Sequence, residues 1–126
     1  MLNGIHHTAI ICSDYAKSKH FYVNILKLEI IDENYREHRD SYKLDLQVGN
    51  SQIELFSFPN APKRPSYPEA RGLRHLAFAV DNLTAQINAL NAQGVETEPI
   101  RTDELTGKQF TFFQDPDGLP LELYES

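Results

Sequence analysis

The sequence predicts an α+β chain made of two copies of a β-α-β-β-β module, and three observations carry that expectation. HHTAIICSDYAKSKHFYVNIL from His6 and RHLAFAVDNLTAQINALNAQG from Arg74 share one plan: an apolar run with a histidine, a polar cap, then a helical stripe. Each copy then continues through two strand-like segments, SYKLDLQV and SQIELFSF in the first, KQFTFFQ and LPLELYE in the second. The copies also keep register, because His7 maps onto His75 and Glu54 onto Glu122 at one shift of 68 positions (75 − 7 and 122 − 54). At the same shift Ala9 falls on Ala77, and IELF falls on LELY.

The elements follow in chain order. On the first strand His7, Ala9 and Ile11 share one face, while His6, Thr8, Ile10 and Cys12 take the other. Ser13-Asp14 starts the first helix, which turns Tyr15, Tyr22, Ile25 and Leu26 toward one side. The next two strands form a hairpin through Gly49-Asn50-Ser51. In the second copy His75, Ala77 and Ala79 share a face. Asp81 or Asn82 caps a helix with Leu83, Ile87 and Leu90 inward, and Gly94 suits its left-handed end. The closing hairpin turns at Asp115-Pro116-Asp117-Gly118.

One domain over 1–126 is expected, with a first module at about 4–58, a linker at about 59–72 and a second module at about 73–126. In the linker Pro59, Pro62, Pro65 and Pro68 recur at every third position, the period of a polyproline II helix. Extended in that way, some twelve residues would reach about 35 to 40 Å.

Composition narrows the classes of function. With 18 acidic against 12 basic residues and a net charge of −6, the chain has no basic patch for a phosphate backbone, so nucleic acid is not an expected partner. Cys12 is the single cysteine, which excludes an internal disulfide. No apolar run approaches the roughly 20 residues that span a bilayer, and the start lacks a signal-peptide pattern. A cytoplasmic protein without a membrane role is expected.

Strand alternation brings out the chemistry. Glu54 shares a face with Gln52 and Phe56, and Glu122 shares one with Tyr124, while Ile53, Leu55, Leu121 and Leu123 point the other way. An ionised carboxylate among apolar strand neighbours has to be paired, hydrogen-bonded or bound to a metal. Taken singly, each histidine suits a core or edge position, and Glu54 suits the wet face of an open sheet. Taken jointly, His7, Glu54, His75 and Glu122 form two imidazoles and two carboxylates without thiolate. That donor set suits Zn, Ni, Co or Fe and leaves positions for water or substrate. His6, His20 and His38 are read as surface or packing residues.

HHTAI, DYAKSKHFYVNIL, IELF, RHLAFAV and DPDGLPLELYE together resemble the vicinal oxygen chelate superfamily, which holds glyoxalases, bleomycin-resistance proteins and extradiol dioxygenases. The resemblance covers essentially the whole chain and implies curved mixed sheets around a metal cleft. The order His, Glu, His, Glu is similar to the glyoxalase I branch; superfamily epimerases carry Gln where Glu54 stands, and fosfomycin-resistance enzymes and dioxygenases use two His and one Glu. Many relatives carry Gly in place of Lys27, at the end of the first helix, and the inter-module segment of glutathione-dependent enzymes differs from this proline linker.

By that resemblance the protein would isomerise the hemithioacetal of methylglyoxal and a low-molecular-weight thiol to an S-lactoyl thioester. One divalent metal would stabilise the enediolate formed as the C1 proton leaves. Glu122 is the first choice of base and Glu54 the symmetric alternative. Phe56 and Tyr124 would flank the substrate, and Arg36, Arg39 and Lys43 would anchor an anionic thiol. A homodimer is implied, with the site built within one chain or across two. The alternatives are another metalloenzyme of the group (epimerase, thiol transferase or dioxygenase-like) or a drug-binding resistance protein without catalysis.

Overall fold

Each copy of the repeat forms one four-stranded mixed sheet in this computed structural model, which describes all residues from Met1 to Ser126. The chain divides into two units, Met1–Lys63 and Arg64–Ser126. In the first, β1 (His7–Cys12) leads into α1 (Tyr15–Lys19), which widens into a π-helical turn over His20–Ile25. Then come β2 (Glu29–Arg36), a 3₁₀ turn at Glu37–Arg39, β3 (Ser41–Val48) and β4 (Ser51–Ser57). The sheet order is β1-β4-β3-β2, with β1 parallel to β4 and the other pairs antiparallel. The second unit repeats this as β5 (Leu76–Val80), α2 (Leu83–Ala92), β6 (Arg101–Thr102), β7 (Gln109–Gln114) and β8 (Pro120–Glu125), in the order β5-β8-β7-β6.

Apolar periodicity sets the helix-facing layer in each unit. Ile10, Cys12, Leu44, Leu46, Ile53 and Leu55 are buried in the first, and Phe113, Leu121 and Leu123 join Leu83 and Leu90 of α2 in the second. Asp14 caps α1 by accepting from the Lys17 amide at 3.1 Å, and Asn82 rather than Asp81 caps α2 through the Ala85 amide at 3.0 Å. Ser18 and Phe21 are buried with Tyr22, whereas Tyr15, Ile25 and Leu26 are only half-buried, so the helical stripe differs from the expected one. The wide turn explains this. The Leu26 amide bonds the carbonyl five residues back, at Phe21, and the slower rotation per residue brings adjacent Phe21 and Tyr22 inward together. Lys27 then ends the helix with φ +60°, where glycine would be unstrained.

The linker departs from a continuous polyproline helix. Turns occur at 59–60 and 66–69, Asn60 has φ +58°, and the Tyr67–Pro68 bond is cis. A polyproline helix has no internal hydrogen bonds, so side-chain donors can readily bend it. Here the Arg64 guanidinium donates to the carbonyls of Leu73 and Arg74 at 2.6 and 3.0 Å.

The hairpins also break the exact repeat. Val48 pairs with Ser51 across a turn whose first central residue, Gly49, has φ +56°, as a primed turn requires. Gln114 pairs with Pro120 across a longer loop, in which the Asp115 carboxylate accepts from the Asp117 and Leu119 amides at 2.8 and 3.0 Å. The extra residue shifts β7 against β3, so the residue opposite Glu54 is Asp45 and the residue opposite Glu122 is Phe112, 67 positions apart (112 − 45).

Candidate functional site

Register brings His7 and Glu54 together in the first unit. Ala9 is the parallel-ladder partner of Glu54, and His7, two residues earlier on the same face, places Nδ1 3.6 Å from Oε2 of Glu54. Alanine leaves room for the two longer side chains above the sheet. His6 lies close as well, its Nδ1 2.9 Å from Nδ1 of His7. On the other side, Lys43 of β3 reaches Asp45 at 2.7 Å and Glu54 at 3.8 Å. The hydrogen bond that Lys43 donates to Asp45 holds its ammonium above its ordinary range and outweighs the opposing effect of burial.

Beyond Lys43 the same unit carries a cationic and aromatic cluster. The Arg36 guanidinium lies 5.0 Å from the centre of Phe56 and 5.7 Å from that of Phe58, and Arg39 lies 5.4 Å from Phe58. Arg36 donates to Ser41 at 3.0 Å, while its Nε is buried without a hydrogen-bond partner. The expected substrate residues Arg36, Arg39, Lys43 and Phe56 are therefore neighbours, with the Lys43 charge engaged by two carboxylates.

The second unit holds the tighter pair. Ala77 is again the ladder partner of the carboxylate, and Nε2 of His75 lies 3.0 Å from Oε1 of Glu122, which is 8% exposed. Phe112 packs edge-on against the His75 ring at 4.9 Å. Tyr124 stacks on Phe110, and its hydroxyl reaches Thr106 at 2.5 Å and Asp103 at 2.9 Å. Thr106 pulls the Tyr124 phenol down, but desolvation and the Asp103 carboxylate together outweigh it and leave the group raised.

Next to this pair is a cavity of about 180 Å³ lined by Arg74, Arg101, Glu69, Glu98, Tyr67 and Phe112, among others. Both guanidiniums approach the Phe112 ring, Arg74 at 6.0 Å and Arg101 at 5.4 Å. Arg74 also places a nitrogen 3.0 Å from Nδ1 of His75. The sequence reading took His6 as a surface or packing residue and did not single out Arg74 or Arg101, although the 68-residue shift maps His6 onto Arg74.

Comparison with known proteins identifies the fold family. The model of the Glyoxalase/Bleomycin resistance protein/Dioxygenase superfamily matches residues 4–123. The chain belongs to this superfamily. It is 64% identical over 126 residues to YwkD of Bacillus subtilis (strain 168), covering 99% of this chain and 98% of YwkD. The crystal structure of a glyoxalase family protein from Enterococcus faecalis superposes with a TM-score of 0.90 at 54% identity, covering 97% of both chains. The metallothiol transferase FosB of Staphylococcus saprophyticus is 29% identical over 129 residues, covering 98% of this chain and 78% of FosB. A lactoylglutathione lyase from Agrobacterium tumefaciens shares the superfamily fold at a TM-score of 0.76 and 19% identity, covering 100% of this chain and 96% of that one.

Superfamily members typically use a divalent metal, and the donor set in each unit fits one. Two ligands about 2.1 Å from an ion and at right angles to each other lie about 3.0 Å apart, the separation found between His75 and Glu122. The His7 and Glu54 donors, at 3.6 Å, lie slightly wider than such an edge. Neither unit alone gathers three His, Cys, Asp or Glu side chains into a group.

Proposed function

We propose that the protein is a glyoxalase I-like metal-dependent lyase that converts a methylglyoxal–thiol hemithioacetal to an S-lactoyl thioester. The observation that carries this reading is the repetition itself: each unit offers one imidazole and one carboxylate on the same sheet face, at matching ladder positions. His7, Glu54, His75 and Glu122 would hold Zn, Ni, Co or Fe together, within one chain or across a homodimer. A divalent ion there supplies electrostatic stabilisation for negative charge developing on adjacent substrate oxygens.

The chain's own residues do the rest. Glu122 carries the proton from C1 to C2: the C–H electron pair forms the C1–C2 double bond as the carbonyl π pair moves onto the C2 oxygen, the proton returns at C2, and the C1 hydroxyl proton passes to the C2 oxygen, so C1 becomes the thioester carbonyl and no oxidant or reductant is consumed. Glu122 suits that task because it is nearly buried and faces Phe112 in the ladder, away from water. Glu54, already facing the Lys43 ammonium, is better placed as a fixed ligand. Arg36 and Arg39 would meet the anionic end of the thiol, with Phe56 and Tyr124 flanking the carbon skeleton.

A second reading is transfer of a thiol to a small anionic electrophile. It is favoured by the two guanidiniums at Phe112 beside His75 and by the similarity to FosB. The deciding experiment incubates the full chain, loaded in turn with Zn²⁺, Ni²⁺ and Co²⁺, with methylglyoxal and several low-molecular-weight thiols, and follows products by mass spectrometry. An S-lactoyl thioester, with kcat reduced about 100-fold or more by Glu122→Gln when both proteins are compared at saturating metal, is expected. No thioester with any metal and thiol overturns the lyase reading.

A further inference from the structure

Two arginines reach one ring from opposite edges of the second sheet. Arg101 lies on β6 at one edge, where the ladder pairs it with Phe110, and its guanidinium stands 5.2 Å from the centre of that ring and 5.4 Å from that of Phe112. Arg74 precedes β5 at the other edge and stands 6.0 Å from Phe112. Both border the cavity of about 180 Å³. Ring faces steady a guanidinium without using its N–H donors, and Arg101 gives one of its five to Glu98 at 3.2 Å. The repeat does not account for this pair. The 68-residue shift maps Arg74 onto His6 and Arg101 onto Glu33, and the ladder place of Phe112 is held by Asp45 in the first unit.

Carboxylates already stand beside both guanidiniums. Glu69 lies 3.8 Å from Arg74 and Glu98 lies 3.2 Å from Arg101, and all four side chains are more than half exposed. Ion pairs so exposed contribute little, and 3.8 Å is too long for a hydrogen bond, so an incoming carboxylate can take the place of Glu69 at small cost. Two guanidiniums and two carboxylates leave the lining neutral. Moving Glu69 into solvent leaves one positive charge in excess, which matches a monoanion and not a dianion. Phe112, Pro120 and Tyr67 supply apolar wall, and the volume equals that of about six waters at about 30 Å³ each, room for an acid of three or four carbons. We propose that Arg74 and Arg101 bind the carboxylate of a short-chain organic acid, and that Glu69 is the built-in occupant which this ligand displaces. The assignment goes beyond the lyase reading and requires no metal.

The test titrates the metal-free full chain with butyrate, its neutral analogue butyramide and the dianion sulfate, following the backbone amide signals of Phe112, Phe113 and Gln114 by NMR. Without metal no carboxylate can bind an ion, so failure here leaves the lyase reading standing, and failure of that reading leaves this site. Butyrate should saturate with a Kd of about 1–5 mM, and butyramide and sulfate should bind at least about fivefold more weakly. Arg74→Gln and Arg101→Gln should each weaken butyrate about fivefold or more, whereas Glu69→Gln should tighten it about two- to threefold. Lys17→Gln removes an equal charge from the exposed side of α1 and should leave the affinity unchanged. Shifts that do not saturate by about 50 mM butyrate, butyramide or sulfate binding as tightly as butyrate, or an equal loss in Lys17→Gln overturns the site. An affinity unchanged or weakened by Glu69→Gln overturns the displacement.

Discussion

The Lys43 ammonium lies 2.7 Å from Oδ1 of Asp45, and the same pair borders Glu54, the ladder partner of Asp45. No such pair exists at the corresponding place in the second unit, where Phe110 faces Tyr124 and Phe112 faces Glu122. Two half-sites built from one repeat therefore have different surroundings, one charged and one aromatic. Because Lys43 separates two neighbouring carboxylates, Lys43→Met should lower the unfolding free energy at neutral pH by about 1–2 kcal/mol. Denaturant titration should show the deficit shrinking as salt is raised from about 0.05 to 1 M and the charges are screened. An equal deficit at both salt concentrations would contradict this account.

Arg36 stands over Phe56 and donates to Ser41 at 3.0 Å, with its Nε buried. For the proposed reaction, Arg36→Met should raise KM for an anionic thiol adduct about tenfold with kcat nearly unchanged, the mark of binding equal in ground and transition states. A matching fall in kcat would instead place Arg36 in the chemistry.

Glu33 of β2 ties the sheet to α1, accepting from Lys19 at 2.8 Å and from the Tyr15 hydroxyl at 2.5 Å. The Lys19 hydrogen bond, followed by that of Tyr15, holds the Glu33 carboxyl below its ordinary value of 4.5. Its contribution to stability is present above 4.5 and is lost as pH falls through the lower folded value. Burial, then the bond to Glu33, raises the Tyr15 phenol above 10.0, so that contribution is present below 10.0 and is lost as pH rises through the higher folded value. Denaturation midpoints should be level between these limits and fall on both sides. In Glu33→Gln the acid limb should flatten and the alkaline limb should become shallower.

Lys27 holds a left-handed backbone at φ +60° at the end of the π-helical turn, and its side chain is exposed. Relieving that strain costs only the extra chain entropy of glycine. Lys27→Gly should thus stabilise the protein by about 0.5–1 kcal/mol, seen as a higher melting temperature. A lower melting temperature would show that the lysine side chain makes a compensating contact.

Much of this was readable before any coordinates. Period-two alternation separates Ile53 and Leu55 from Glu54, and Leu121 and Leu123 from Glu122, because a strand has no other way to dispose its side chains. The shift of 68 residues then ties the two histidines to the two glutamates. The helix was harder to read, because a stripe drawn at 3.6 residues per turn misses a π-helical turn that brings Phe21 in beside Tyr22. Proline spacing misled for a similar reason: it reports local φ preferences, and the Arg64 donors that bend the linker act through space.

The sequence by itself determined the duplicated plan, the inward faces of β4 and β8, and the spacing that relates His7 and Glu54 to His75 and Glu122, since these follow from local geometry and a constant repeat. Tertiary structure decided what stands around each pair. One additional residue in the β7–β8 hairpin puts Phe112 rather than Phe113 opposite Glu122, and His6, expected on the far face, brings its Nδ1 to 2.9 Å from that of His7. Cross-strand neighbours and side-chain turns of this kind depend on pairing register and on competition among donors, and neither is written in the order of residues along a single strand.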